Sequence, residues 1–378
     1  MVLLGSRDLY YLVQEVDEEF NELFRVLADF EHYLPYNEQT LSYMSRQIQL
    51  QMQQLNINKL TQCGLRQLLQ FSFRQAEHQR KLSARLADVL ELVRESCYYA
   101  AQADSDILNE NHVQQALQGK QHRTGRISEG FLEDIQEGQI LIDTEGMAVG
   151  KINGLTVLEI GDTAFGTPAR VSATVFAGSS GVIDIEREVE LGKAIHSKGV
   201  LLLTGYLGAK YARNFPLTLC ANIAMEQSYG HIDGDSASLA EVCALISAIT
   251  DIPIEQSLAV TGSINQHGQV QAIGGVNEKI EGFFRLCQSR GLTGEQGVII
   301  PASNQLNLVL RDEVIAAVAE QKFHIYVVKT VDEALALLTG EEAGELNRRG
   351  QYPKKSVNGR AMQRLAEIAE LVNGALDE

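Results

Sequence analysis

The chain has 378 residues, 45% hydrophobic and 21% charged, a globular composition that leaves room for two or three domains and excludes collagen, disulfide-scaffold and low-complexity readings. Lys plus Arg number 32 against 49 Asp plus Glu, a formal charge of −17, and a surface this acidic repels phosphate backbones, so no nucleic-acid partner is expected. Five scattered cysteines with no CxxC pair fit a reducing cytosol; with no cationic leader and no apolar run near ~18 residues, the expectation is a cytoplasmic protein with no membrane partner.

Met1–Gly5 reads as a strand running into a turn, the last piece of a larger α/β unit. Up to about residue 120 the pattern is helical. Ser42–Leu55 and Leu65–Phe73 space apolar residues between long polar ones, and Leu82, Leu86, Val89, Leu90 and Val93 recur at helical spacing. Asn109 is the N-cap candidate of a short helix reaching Leu117. Lys120–Gln136 is polar and reads as a linker or an exposed helix.

From Gln139 strands take over. Arg170–Val175 and Leu217–Ile223 alternate by residue. Leu258–Thr261 and Gln269–Ile273 flank a turn at Gln266–Gln269, which predicts a hairpin. Val200–Leu203 reads as a buried strand, with His196 and Lys198 ahead of it as structural residues; Val298–Ile300 and His324–Val328 read likewise. Helices are predicted near 236–250, 276–290, 304–320 and 331–338, making a mixed α/β domain of about 200 residues. After Gly340 the tail is charged, then amphipathic through Leu365, Ile368, Leu371 and Val372, and it is either an interaction surface or a terminal packing helix.

Chemistry concentrates in two segments. Gly230-His-Ile-Asp-Gly-Asp-Ser-Ala-Ser238 is a tight turn opening a helix, so Ser236 lies near unpaired N–H groups that can hold an oxyanion, or is simply a cap. A nucleophilic serine needs a base. His231, His267 and His196 are available, as is a lysine made neutral by burial. Gly274-Gly-Val-Asn-Glu-Lys-Ile-Glu-Gly282 opens another helix, with Lys279 beside its apolar face, either in a partly dry site or snorkelling at the surface. No metal-ligand spacing links the histidines and cysteines, so no metal is expected.

Gly234-Asp-Ser-Ala-Ser238, Ala259-Val-Thr-Gly-Ser263 and Gly274-Gly-Val-Asn-Glu-Lys-Ile280, in that order, resemble the proteolytic domain of Lon-type ATP-dependent proteases, in the B subfamily whose serine motif reads Gly-Asp-Ser-Ala-Ser. Ile183–Leu191 and Ile195–Gly199 look like bacterial members of that group. The resemblance implies a Ser–Lys dyad with Ser236 as nucleophile, Lys279 as general base 43 residues on, and Thr261 bonding the lysine. Asp233 and Asp235 either shape the turn or, in the case of Asp235, pair with Lys279 in a resting state. It implies an α/β fold: a helical AAA+ lid domain followed by a mixed α/β Lon-type proteolytic domain. The expected division is 1–35, end of the AAA+ large domain; 36–119, lid; 120–137, linker; 138–340, proteolytic domain; 341–378, tail.

Lys81-Leu-Ser-Ala-Arg85 looks like the lid segment whose arginine reaches nucleotide phosphates, which makes Arg85 either that sensor or an ordinary surface arginine. The motor's GxxxxGK[ST] loop is missing, since Gly119-Lys120, Gly150-Lys151 and Gly192-Lys193 are not followed by Ser or Thr. The chain therefore reads as a fragment or a natural truncation, with the fragment favoured. No cofactor is expected in it alone, and ATP with Mg is expected in the full-length protein. The function implied is a serine endopeptidase for unfolded or damaged proteins, working as a homo-oligomeric, typically hexameric, ring. A non-catalytic assembly or adaptor module and a Ser–His hydrolase using His231 are the alternatives.

Overall fold

Capping residues ahead of apolar-periodic runs set the helices of the first unit. In the computed structural model, which describes residues 1–161 and 163–376, this unit comprises Met1–Ala76 and Arg80–Ala116. Its elements are α1 (Arg7–Val16), α2 (Phe20–Leu23), β1 (Tyr33–Pro35), α3 (Glu38–Gln53), β2 (Lys59–Leu60), α4 (Gln62–Gln75), β3 (Lys81–Ser83), α5 (Leu86–Gln102), β4 (Ile107–Leu108) and the start of α6 (Glu110–Thr124). Asn37, Thr61 and Asn109 each accept a backbone N–H three residues on, capping α3, α4 and α6. Met44, Ile48, Leu68, Val89, Val93 and Ala100 form the buried face of α3–α5. Two expectations fail here. Leu82 belongs to β3, paired with β1, rather than to the following helix. Met1–Gly5 forms no strand, because a strand requires a hydrogen-bonded neighbour and none lies beside it among the described residues.

The second unit takes in the rest of the chain. Its elements are α7 (Arg126–Gln136), β5 (Met147–Ala148), β6 (Lys151–Ile160), β7 (Thr163–Phe176), β8 (Gly181–Asp184), α8 (Ile185–Glu188), α9 (Ala194–Tyr211), β9 (Cys220–Met225), α10 (Ser238–Thr250), β10 (Ile254–Glu255), β11 (Leu258–Val260), β12 (Ser263–Ile264), β13 (Val270–Gln271), α11 (Val276–Arg290), β14 (Gly297–Pro301), α12 (Asp312–Ala319), β15 (His324–Val328), α13 (Val331–Thr339) and α14 (Val357–Leu376). A seven-stranded sheet runs β15-β14-β11-β6-β7-β9-β8. The β6–β7–β9 pairs are antiparallel and the other pairs parallel. Helix α10 is the hub of the core: Leu239, Val242, Cys243, Leu245 and Ile246 are all fully buried, each large aliphatic side chain contributing ~1.5–3 kcal/mol.

The segment read as a buried strand at Val200–Leu203 lies inside α9. Its buried residues His196, Gly199, Val200, Leu203, Tyr206, Leu207 and Tyr211 recur at helical spacing, and a short apolar run by itself does not distinguish the two elements. The hairpin exists, but its first strand is β12, while Leu258–Val260 belongs to the central sheet. The predicted 304–320 helix is two pieces, a 3-10 turn at Ala302–Asn307 and α12. The amphipathic tail helix is α14, with Leu365 and Ile368 buried and Leu371 exposed; the tail's last two residues, Asp377 and Glu378, lie outside the described residues.

Candidate active site

Ser236 sits in the tight turn just before α10. Gly234 makes that turn with a φ of +113°, a conformation that suits glycine, and the Asp233 carboxylate accepts the Gly234 N–H. The Ser238 N–H and hydroxyl both donate to the Asp235 carbonyl, and the Ser238 hydroxyl accepts the Ile264 N–H. Gly262 N–H donates to the Ser236 carbonyl at 2.9 Å, and Leu239 N–H donates to the Gly262 carbonyl at 3.0 Å. The Thr261–Ser263 segment, which leads from β11 into β12, is thereby latched to the serine turn. The N–H groups of Ser236 and Ala237 find no acceptor among the described residues, which leaves two donors beside the serine hydroxyl.

Lys279 arrives from another element, the first turn of α11, whose N-cap Gly275 has a φ of +63°. Its chain lies along β7, where Gly166 has no Cβ to collide with the Glu278 carbonyl and the Lys279 Cα. The lysine is buried. Its amine lies 2.9 Å from the Ser236 hydroxyl and 3.2 Å from that of Thr261. The Thr261 hydroxyl donates in turn to the Ser236 carbonyl at 3.3 Å. Burial lowers the Lys279 pKa from 10.5 to about 8, against the opposing field of Asp235. A neutral amine can accept the serine proton; the same amine protonated can only donate.

Asp235 does not contact Lys279: no ion pair joins them among the described residues, and its Oδ2 accepts the Ser263 hydroxyl at 2.8 Å. Asp233 serves its own turn. His231 and His267 are exposed, and no hydrogen bond links either to Ser236 among the described residues. Ser238 and Ser263 close two of the motifs quoted above, but the sequence gives them no role of their own; only the meeting of the two segments gives them partners.

His196 is buried elsewhere, with Nε2 3.3 Å from Asp184 and Nδ1 3.8 Å from Glu241 on α10. Burial favours its neutral form, but the hydrogen bond to Asp184 and the charges of Glu241, Asp184 and Glu186 outweigh it and raise its pKa to about 9. Asp184, Glu186 and His196 stand close enough to share one cation. Linear spacing gave no sign of this because three elements supply the ligands, and an imidazolium already answers the Asp184 charge.

Gly119-Lys120 lies within α6, Gly150-Lys151 opens β6, and Gly192-Lys193 precedes α9; none forms a phosphate-cradling loop leading to Ser or Thr. Arg85, the sensor candidate, is 77% exposed and paired with Asp88 at 3.2 Å.

Three family models match the chain: the LonB-like AAA domain over residues 1–31, the archaeal LonB AAA+ ATPase lid domain over 59–123, and the Lon protease (S16) C-terminal proteolytic domain over 223–340. A protein described as a Lon protease homolog from Escherichia coli (strain K12) is 45% identical over 65% of this chain and 42% of its own length. One so described from Haemophilus influenzae is 36% identical over 97% of this chain and 61% of its own length. An archaeal Lon protease from Thermococcus kodakarensis is 29% identical over 78% of this chain and 44% of its own length. The chain thus spans less than two thirds of the length of these relatives.

Proposed function

Since the chain belongs to the Lon family of proteases, we propose that its second unit is a serine endopeptidase in which Ser236 attacks and Lys279 is the general base. The observation that carries this reading is the buried Lys279 amine 2.9 Å from the Ser236 hydroxyl. The neutral amine takes the hydroxyl proton as Oγ bonds to the peptide carbonyl carbon. The ammonium then returns that proton to the leaving nitrogen as the C–N bond breaks. Water, deprotonated by the same amine, hydrolyses the acyl-serine. The N–H groups of Ser236 and Ala237 face the developing oxyanion. Thr261 holds the amine in line. No carboxylate is required to orient the base, because an amine has no tautomer to fix.

The substrates on this reading are unfolded or damaged protein chains, and the working form is a homo-oligomeric, hexameric ring that hides the serines from folded proteins. In the full-length protein ATP with Mg drives substrate delivery, with Arg85 as a nucleotide sensor; this chain alone hydrolyses no ATP. Five free cysteines, four of them buried, support a cytoplasmic location, and no helix among the described residues is long and apolar enough to cross a membrane.

The test is cleavage of fluorescein-labelled casein, an unfolded protein, by the full chain. Ser236→Ala and Lys279→Met abolish cleavage, while His231→Ala leaves most of it. Cleavage that survives Lys279→Met but is lost with His231→Ala supports the Ser–His alternative instead, and a wild-type ring that cuts nothing supports the non-catalytic module.

A further inference from the structure

Ser263 is buried on β12 and is held by the latch between the serine turn and the Thr261–Ser263 segment. Its hydroxyl has one proton and two acceptors in view, the Asp235 carboxylate at 2.8 Å and the Gln271 side-chain carbonyl at 3.5 Å. Distance and charge both favour the carboxylate. Asp235 is the residue immediately before Ser236, so its side chain has to point somewhere close to the dyad. It is also the charged group that acts on the Lys279 amine. On α11 itself the carboxylates are Glu278 and Glu281, the latter paired with Arg311 at 3.0 Å. The flanking strand β7 approaches Lys279 at Gly166, its Arg170 is paired with Asp143 and Glu226, and the Thr261–Ser263 segment contributes the Thr261 hydroxyl.

We propose that Ser263 is a positioning residue for the dyad: its hydroxyl holds the Asp235 carboxylate outside ion-pair distance of Lys279, and without that bond Asp235 swings to the amine and fixes it as an ammonium. The proposal rests on the Ser–Lys reading and adds to it a specific control of the base. A carboxylate brought within ~4–6 Å of a cation favours the charged form by about 1–3 pH units. Asp235 already pushes the amine in that direction from its clamped position, while burial pushes it the other way. The clamp therefore sets how much of the lysine is neutral at physiological pH.

The experiment is the rate of Ser236 labelling in the full chain by a fluorophosphonate probe from pH 6 to 10. The wild-type rate rises with pH along a limb set by Lys279. Ser263→Ala moves that limb up by about 1 unit, which near neutral pH is about a tenfold slower reaction. Asp235→Asn moves it down, and the double variant follows Asp235→Asn because no carboxylate is left to swing. A Ser263→Ala protein with a wild-type melting temperature and an unmoved limb overturns the proposal. Should Ser263→Ala not fold, Ser263→Cys, a weaker donor, replaces it with the same direction expected and the same overturning result. Labelling that is unaffected by Lys279→Met, or a wild-type protein unlabelled at any pH, removes the dyad itself and this inference with it.

Discussion

The Lys279 amine and the Ser236 hydroxyl meet at 2.9 Å although 43 residues separate them in the chain. The serine is delivered by the turn before α10, the lysine by the first turn of α11, and both helices pack on β7 and β6. The contact is made where a buried helix start and a buried lysine are forced together, and the low local dielectric there disfavours the ammonium.

That burial costs stability. Between pH 8 and 10.5 the unfolded chain keeps the lysine proton that the folded chain has shed, so this group makes the fold more stable as pH rises through that window. Below about 8 the full cost applies, and a fall in pKa from 10.5 to about 8 is worth roughly 3 kcal/mol. Lys279→Met removes this cost and loses two hydrogen bonds worth ~1 kcal/mol each. The Lys279→Met variant is therefore expected to be more stable than wild type at pH 7 by about 1 kcal/mol, with the advantage shrinking as pH rises above about 8 and gone near pH 9. Urea unfolding at both pH values reads it.

Thr261 receives the amine at 3.2 Å and braces the Ser236 carbonyl. Thr261→Val keeps the shape and removes both bonds. A loss of ~1.5 kcal/mol of positioning corresponds to about a tenfold fall in kcat/KM. Thr261→Ser keeps the hydroxyl and most of the activity. Peptide cleavage kinetics compare the two.

The approach of α11 to β7 depends on two missing side chains. A Cβ on Gly282 would collide with the Gly166 backbone, and a Cβ on Gly166 would collide with the Glu278 backbone. Either Gly→Ala change pushes the helix off the sheet and carries Lys279 away from Ser236. A misplacement on the order of 1 Å costs about a hundredfold in rate, and the overpacking destabilises by ~1–3 kcal/mol. Both losses are expected for Gly282→Ala, with a lowered melting temperature and slowed cleavage measured on one preparation.

His196 gives a pH signature of the opposite sign. Its pKa is raised from 6.5 to about 9, so its stabilisation is complete below 6.5 and is lost as pH climbs through 9. The groups facing it are Asp184, Glu186 and Glu241, and Glu241 is itself raised to about 7 by burial. His196→Gln strands these carboxylates and is expected to cost ~3–5 kcal/mol at pH 6.5, and much less at pH 10, in urea midpoints.

Gly-Asp-Ser and Gly-Gly-Val-Asn-Glu-Lys each mark the start of a helix, which is written locally, but read alone they leave Ser236 as nucleophile or cap and Lys279 as buried base or surface lysine; the pairing of the two comes from the resemblance carried by the ordered motifs. The α11 boundaries, Val276–Arg290, follow from a glycine before and a glycine after. Three features were not legible. Helix α9 is apolar on most sides, so its core run imitates a strand. Strand β12 is only two residues long, too short for any alternation. The pairing of Asp235 with Ser263 depends on the serine turn meeting β12 in space, and nothing in either segment names the other.

The most direct measurement of the central claim is an NMR titration of the Lys279 side chain in the full chain, assigned by comparison with Lys279→Met. The account predicts a midpoint of about 8, falling further in Asp235→Asn. A midpoint near 10.5, the ordinary lysine value, would contradict it, because the amine beside Ser236 would then be an ammonium throughout the physiological range, unable to accept the serine proton.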